Sequence, residues 1–154
     1  MMDEHALLPA SGLFQGPLHL FPVRVYYEDT DLSGLVYHAN YLRWFERARS
    51  DMLRLLGVDQ RAAIEAGEGN YAVAEMAIRY LAPALLDDDL VVATETEELG
   101  AASVRLRQRA LRGATVLAEA AVRVGFISPE GRPRRQPAAW RAAFDTLFSA
   151  KDPA

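Results

Sequence analysis

The chain has 154 residues, a formal net charge of -4, 51% hydrophobic and 25% charged residues, and no cysteine. That length fits one domain, and the composition is that of a globular chain rather than a disordered one. The acidic balance argues against a nucleic-acid binder. The missing cysteine excludes disulfides, thiolate metal sites and cysteine nucleophiles.

Residues 1–19 read as a flexible N-terminal arm, because Pro9, Gly12, Gly16 and Pro17 interrupt any regular pattern. The arm carries Asp3 and Glu4 early and has no basic start followed by an apolar run, so it does not read as a secretory signal. No apolar run approaches the ~20 residues that span a bilayer, and a cytoplasmic protein is expected. Residues 21–27 alternate and are rich in β-formers, which predicts a strand. Residues 29–34 (Asp, Thr, Asp, Leu, Ser, Gly) are turn chemistry. A long helix follows over 39–56. Its apolar stripe is Tyr41, Phe45, Ala48, Met52 and Leu55, Arg43, Arg47, Ser50 and Arg54 cover another face, and Gly57 stops it. A short helix is expected near 61–66.

Four strands come next, over 71–80, 90–98, 103–111 and 115–127. Short turns between them imply antiparallel pairing. The last strand alternates most clearly, with Val116, Ala118, Ala120, Val122, Val124 and Phe126 on one side. Residues 128–137 form a Pro/Gly/Arg loop, 138–148 read as a final helix, and 150–154 as a tail. A single domain over 20–149 is expected. The striped helix must bury its face, and the sheet is the only large partner. The fold class is therefore α+β, with a sheet wrapped around one central helix.

The densest run of reactive groups lies between Tyr26 and Arg49. Two carboxylates, a glycine turn and one histidine sit just ahead of the long helix. A carboxylate beside the free N–H groups of a helix start can attack or activate water against a carbonyl. Taken alone, Asp29 and Asp31 are also ordinary turn or capping residues, and His38 an ordinary surface histidine. An Asp-x-Asp with a downstream His can hold a metal, but no third strong ligand is evident and none is expected. Glu46 is expected to pair with Arg43 or Arg49. Trp44 and Tyr41 are expected in the core or a subunit contact, and His5 and His19 as bystanders. Arg105, Arg107 and Arg109 share a strand face that reads as solvated. No Gly-x-Ser-x-Gly is present, which removes the serine-hydrolase reading.

The run Val23-Arg24-Val25-Tyr26-Tyr27-Glu28-Asp29-Thr30-Asp31, then Gly34-Leu35-Val36-Tyr37-His38-Ala39-Asn40-Tyr41 and Phe45-Glu46-Arg47-Ala48-Arg49, resembles the YbgC-like acyl-CoA thioesterases, relatives of the 4-hydroxybenzoyl-CoA thioesterases. The resemblance covers about residues 20–140, with weaker cues at Leu81-Ala82-Pro83 and Asp89. It implies the hotdog fold, a curved antiparallel sheet of about five strands around one long helix. It also implies hydrolysis of an acyl-CoA thioester to free acid and coenzyme A. Asp31 matches the catalytic carboxylate, acting as base or nucleophile. His38 matches the helix-start position whose backbone N–H faces the thioester oxygen. Gly34, Val36, Tyr37, Ala39 and Asn40 fall on the substrate-binding turn and helix start, with Asn40 as helix N-cap. Arg132, Arg134 and Arg135 lie in a loop, and Arg134 is the candidate for the coenzyme A phosphates. No metal or redox cofactor is implied, since coenzyme A belongs to the substrate. The family implies a homodimer or homotetramer with sites at the dimer interface. Acyl carrier protein stays open as an alternative acyl donor. Two other readings stay open: a hotdog dehydratase on hydroxyacyl thioesters, and a non-catalytic acyl-CoA-binding module.

Overall fold

The protein is described by a computed structural model over residues 7–150. Six strands form one antiparallel sheet in the order β1-β2-β4-β5-β6-β3. They are β1 (Leu13–Gln15), β2 (Leu18–Arg24), β3 (Asn70–Tyr80), β4 (Asp89–Leu99), β5 (Ser103–Arg112) and β6 (Thr115–Ile127). The helices are α1 (Asn40–Leu55), α2 (Gln60–Glu65) and α3 (Ala138–Ser149). This is the expected hotdog arrangement, with one more strand than expected.

The sixth strand corrects the reading of the N-terminal arm. Leu13–Gln15 pairs with Leu18–Leu20 in a tight hairpin, which moves the first long strand three residues earlier. His19, expected as a bystander, is fully buried there, and Asp51 of α1 takes its Nε2 at 2.7 Å. Asp51 also accepts from the Ser11 hydroxyl and the Gly12 N–H, tying the segment before the hairpin to the helix. Tyr27 leaves the strand and starts a 3₁₀ turn, Tyr27–Asp29. His5 and residues 151–154 lie outside the described residues.

Helix α1 buries Tyr41, Trp44, Phe45, Ala48, Met52 and Leu53 against the sheet. Fully burying a phenylalanine contributes about 1.5–3 kcal/mol, so Phe45, with no exposed surface, anchors the pair. Leu55, expected in the stripe, is exposed, and Leu53 takes its place. Gly57 ends the helix with φ +82, a left-handed conformation, and the N–H of Val58 then closes on Leu53 O.

The sheet has two edge strands, the short β1 and the long β3. β3 pairs only with β6, so its other edge has no neighbour among the described residues. A register shift between Val73 and Glu75 marks a bulge in its middle.

Candidate active site

The segment from Asp29 to Asn40 folds back on the start of α1. The carbonyl of Asp29 accepts the Tyr37 N–H at 2.8 Å and the Asn40 side-chain amide at 2.7 Å. Thr30 bridges Val36, and the Asp31 N–H donates to Leu35 O at 2.9 Å. The turn closes at Gly34, where φ is +81 and a Cβ would touch nothing within 4 Å. Glycine is thus required by backbone conformation and not by a close neighbour. The Asp29 carboxylate accepts the Tyr26 N–H at 2.8 Å, which makes Asp29 structural, as expected.

Asp31 sits exposed at this turn. Its Oδ1 accepts both the Ser33 N–H (2.8 Å) and the Ser33 hydroxyl. Its Oδ2 has no partner among the described residues. The Ser33 hydroxyl, then the Ser33 N–H, hold the carboxyl below its ordinary pKa, and His38 adds to this through space. Asp31 is therefore a carboxylate at neutral pH, with one oxygen free.

His38 is close by. Its ring packs on Tyr37 (centroids 4.6 Å apart) and meets Tyr80 edge-on at 6.0 Å. Its carbonyl accepts the Tyr80 hydroxyl at 2.9 Å. Neither the His38 nor the Ala39 N–H has an acceptor among the described residues. These are the donors that a helix start leaves free, on the positive end of the helix dipole. A carboxylate with a free oxygen and a pair of unused N–H groups thus lie within one folded-back segment, close enough for His38 to act on the Asp31 carboxyl through space.

The other residues expected at the site divide. Tyr37 is exposed beside His38, and Ala39 is the helix N-cap. Asn40, expected to cap, lies inside the helix and holds Asp29 O instead. Val36 is buried in the core, and its N–H donates to Ala84 O. Arg134 is not brought to this cluster. Its guanidinium donates to Glu68 O at 2.6 Å, and its N–H to Phe126 O, at the far end of β6. β3 begins at that end and reaches Tyr80 at the site ten residues later, roughly 33 Å away. Glu46 makes no ion pair among the described residues, contrary to expectation. Arg105 and Arg107 do pair, with Glu98 at 3.2 Å and with Glu119 at 3.4 Å, on the solvated sheet face. Among the described residues no three His, Cys, Asp or Glu converge as a metal site.

The residues that sequence reasoning missed lie under α1. Arg49 is 9% exposed and donates to Gln108 Oε1 at 2.9 Å. Gln108 is fully buried, and its amide donates to Phe45 O and Thr94 Oγ1, both at 3.0 Å. The signal was available in both cases. Arg49 is four residues after Phe45 and three before Met52, inside the apolar stripe. Gln108 shares its strand face with Val104, Leu106 and Ala110.

The three main cavities of the lone chain include neither Asp31 nor His38 among their lining residues. The turn stands at the surface beside Tyr80, at the end of the open strand β3.

The family model for the thioesterase-like superfamily matches residues 25–147. The acyl-CoA thioesterase YbgC of Haemophilus influenzae is 43% identical over 82% of this chain and 94% of its own length. The acyl-CoA thioester hydrolase YbgC of an Escherichia coli strain is 42% identical over 82% of this chain and 96% of its own. Among solved structures, a probable thioesterase from Bartonella henselae superposes with a TM-score of 0.74 at 39% identity, over 78% of this chain and 99% of that one. Fold, turn and relatives agree: this chain belongs to the thioesterase-like superfamily, among its YbgC acyl-CoA thioesterases.

Proposed function

We propose that the protein hydrolyses acyl-CoA thioesters at the Asp31 turn, in a site that two copies of the chain complete. The observation that carries this is the free Oδ2 of Asp31 in the same folded-back segment as the unused N–H groups of His38 and Ala39. The thioester carbonyl oxygen accepts from those N–H groups, where negative charge develops. As general base, Asp31 takes a proton from water as the water oxygen bonds to the carbonyl carbon. The C–S bond then breaks, and coenzyme A leaves as thiolate and recovers the proton. As nucleophile, Asp31 bonds to the carbonyl carbon, expels the thiolate and forms an anhydride that water cleaves. Turnover in ¹⁸O-water separates the two, because only the anhydride route can carry label into the Asp31 carboxylate.

The second copy is supported by the open strand. β3 is 11 residues long, and Val73 and Tyr80 on it are 49% and 45% exposed. A long apolar edge of this kind is a template for strand pairing. Antiparallel pairing about the middle of β3 brings Tyr80 and the Asp31 turn of one copy to Tyr71 and Val73 of the other. That covers the turn and makes a cleft where the lone chain has none. A dimer of dimers follows the family pattern. The reading requires no metal or redox cofactor and suits a cytoplasmic protein, since acyl-CoA is a cytoplasmic metabolite. Among the described residues no helix is long and apolar enough to cross a membrane.

The test is thiol release from a panel of acyl-CoAs and acyl carrier protein thioesters. Wild type releases thiol, and Asp31→Asn is slower by about 10²-fold or more. Unchanged turnover in that variant overturns the assignment. Water loss from a hydroxyacyl thioester without thiol release would identify a dehydratase, and binding without either reaction a carrier module.

A further inference from the structure

The chain keeps a positive charge inside its core without an internal counter-charge. Arg49 is nine-tenths buried, and only one of its five N–H donors is taken among the described residues, by Gln108. Burying a guanidinium this way is costly, and an apolar side chain of similar volume would be the more stable occupant. Gln108 itself is locked by Phe45 O and Thr94 Oγ1, so it aims Arg49 instead of following it. Burial also pushes the guanidinium pKa down, and Glu46 opposes this only through space. Glu46 is exposed, so water screens it.

Arg49 borders a cavity of about 280 Å³ between α1 and the sheet. Met52, Leu106 and Phe144 give it apolar wall, Glu46, Ser50 and Gln60 line it as well, and Tyr71 and Val73 carry it to the open edge of β3. At about 30 Å³ per water-sized group, that space holds roughly nine non-hydrogen atoms. A six-carbon acyl chain with a terminal carboxylate has this size. With β3 paired to β3 of a second copy, the cavity of one copy opens toward the Asp31 turn of the other.

We propose that this cavity receives the acyl group and that Arg49 selects acyl-CoA thioesters whose acyl chain ends in a carboxylate. The proposal rests on the two-copy site argued above. The unused donors of Arg49 suit a carboxylate, which accepts two parallel bonds from one guanidinium. Met52, Leu106 and Phe144 accommodate the methylenes between the thioester and that carboxylate, and the guanidinium of Arg49 offsets the Glu46 charge that borders the same cavity. A plain acyl chain of equal length leaves the guanidinium unpaired, and a site built for a polar group rejects an analogue lacking it.

The test compares adipyl-CoA with hexanoyl-CoA, matched in carbon number, on the full chain. Wild type favours adipyl-CoA in kcat/KM. Arg49→Met shifts the ratio toward hexanoyl-CoA by about 10²-fold, and Arg49→Lys, which keeps the charge but loses the fork, falls between. A wild-type preference for hexanoyl-CoA, or a ratio that Arg49→Met leaves in place, overturns the proposal. Calorimetry with free adipate and hexanoate reads the pocket without turnover. Adipate is expected to bind wild type more tightly than hexanoate does, and to lose that advantage in Arg49→Met or, if that variant does not fold, in part in Arg49→Lys. Equal binding of the two acids to wild type overturns the proposal. Absence of thiol release from every thioester would sink the hydrolase reading instead, and the calorimetry would still decide the role of Arg49.

Discussion

The protein holds two groups of polar residues, and they have opposite surroundings. Under α1, Arg49, Gln108, Thr94, His19 and Asp51 form a buried layer whose bonds reach between helix and sheet. At the start of α1, Asp31, Ser33 and His38 form an exposed turn in which Asp31 bonds only to near neighbours and the His38 carbonyl takes the Tyr80 hydroxyl. The first group is fixed by bonds between separate elements, from fourteen to sixty-three residues apart. The second leaves an acid oxygen and backbone donors unused. Buried polar groups must be satisfied by the fold, whereas a reacting group must keep capacity for its substrate. Under the proposed function the exposed turn sets the chemistry, while the buried layer holds helix to sheet and, at Arg49 alone, keeps donors for substrate.

The sharpest way to break this contrast is to cross the two roles. Gln108→Leu removes the acceptor of Arg49 and leaves a buried charge unpaired, so it is expected to cost about 3–5 kcal/mol in urea unfolding. Hydrolysis of plain acyl-CoAs, per folded molecule, should survive it. Asp31→Asn should do the reverse. Its unfolding midpoint stays at the wild-type value while turnover falls about 10²-fold. If Asp31→Asn unfolded the protein, or Gln108→Leu abolished chemistry in folded material, the division would fail.

Acid sharpens it further. Burial, the largest cause, pushes the His19 pKa below 6.5, despite the Asp51 bond. The neutral ring donates Nε2–H to Asp51, and its buried Nδ1 has no partner to receive an added proton. A base with a depressed folded pKa takes up protons more readily when unfolded. Stability is therefore complete above pH 6.5 and falls as pH drops from 6.5 toward the folded pKa. Asp51, held below 3.8 by Ser11, His19 and Gly12 against its burial, adds a second loss below that pH. Denaturant titrations of wild type and His19→Gln should differ in slope just below pH 6.5, and parallel curves would remove His19 as the cause. The smallest effect belongs to the turn. Ser33→Ala removes the main cause of the low Asp31 pKa, so the acid limb of kcat/KM should move up in pH. An unmoved limb would mean that Asp31 is not the group titrating.

Much of this was legible before any coordinates. The helix stripe marked α1, the alternation marked β6, and the Asp-Thr-Asp-Leu-Ser-Gly run marked the turn, because each signal is local. What stayed hidden depends on contacts far apart in sequence. β1 is three residues long and forms only because β2 is there to pair with it. His19 looked incidental until Asp51, thirty-two residues on, came beneath it. Arg134 reads as a phosphate candidate, and the sheet places it at the opposite end of its own chain from Asp31, a separation that no local signal encodes. Arg49 and Gln108 broke an apolar pattern in phase, and a polar residue in phase with a core stripe is a signal that single-residue inspection passes over.

The two borders of the sheet have one last consequence. On the β2 side, the outer partner ends after Leu20, and the strand then runs through Pro22, which has no N–H to offer. That flank is left with only the short outer edge of β1. The β3 flank, 11 residues against three in β1, is the longer open border, and it is the one the proposed two-copy site uses. Under the proposed pairing, edge addition through β3 stops at two molecules, because each copy brings one β3 edge and pairing uses it up.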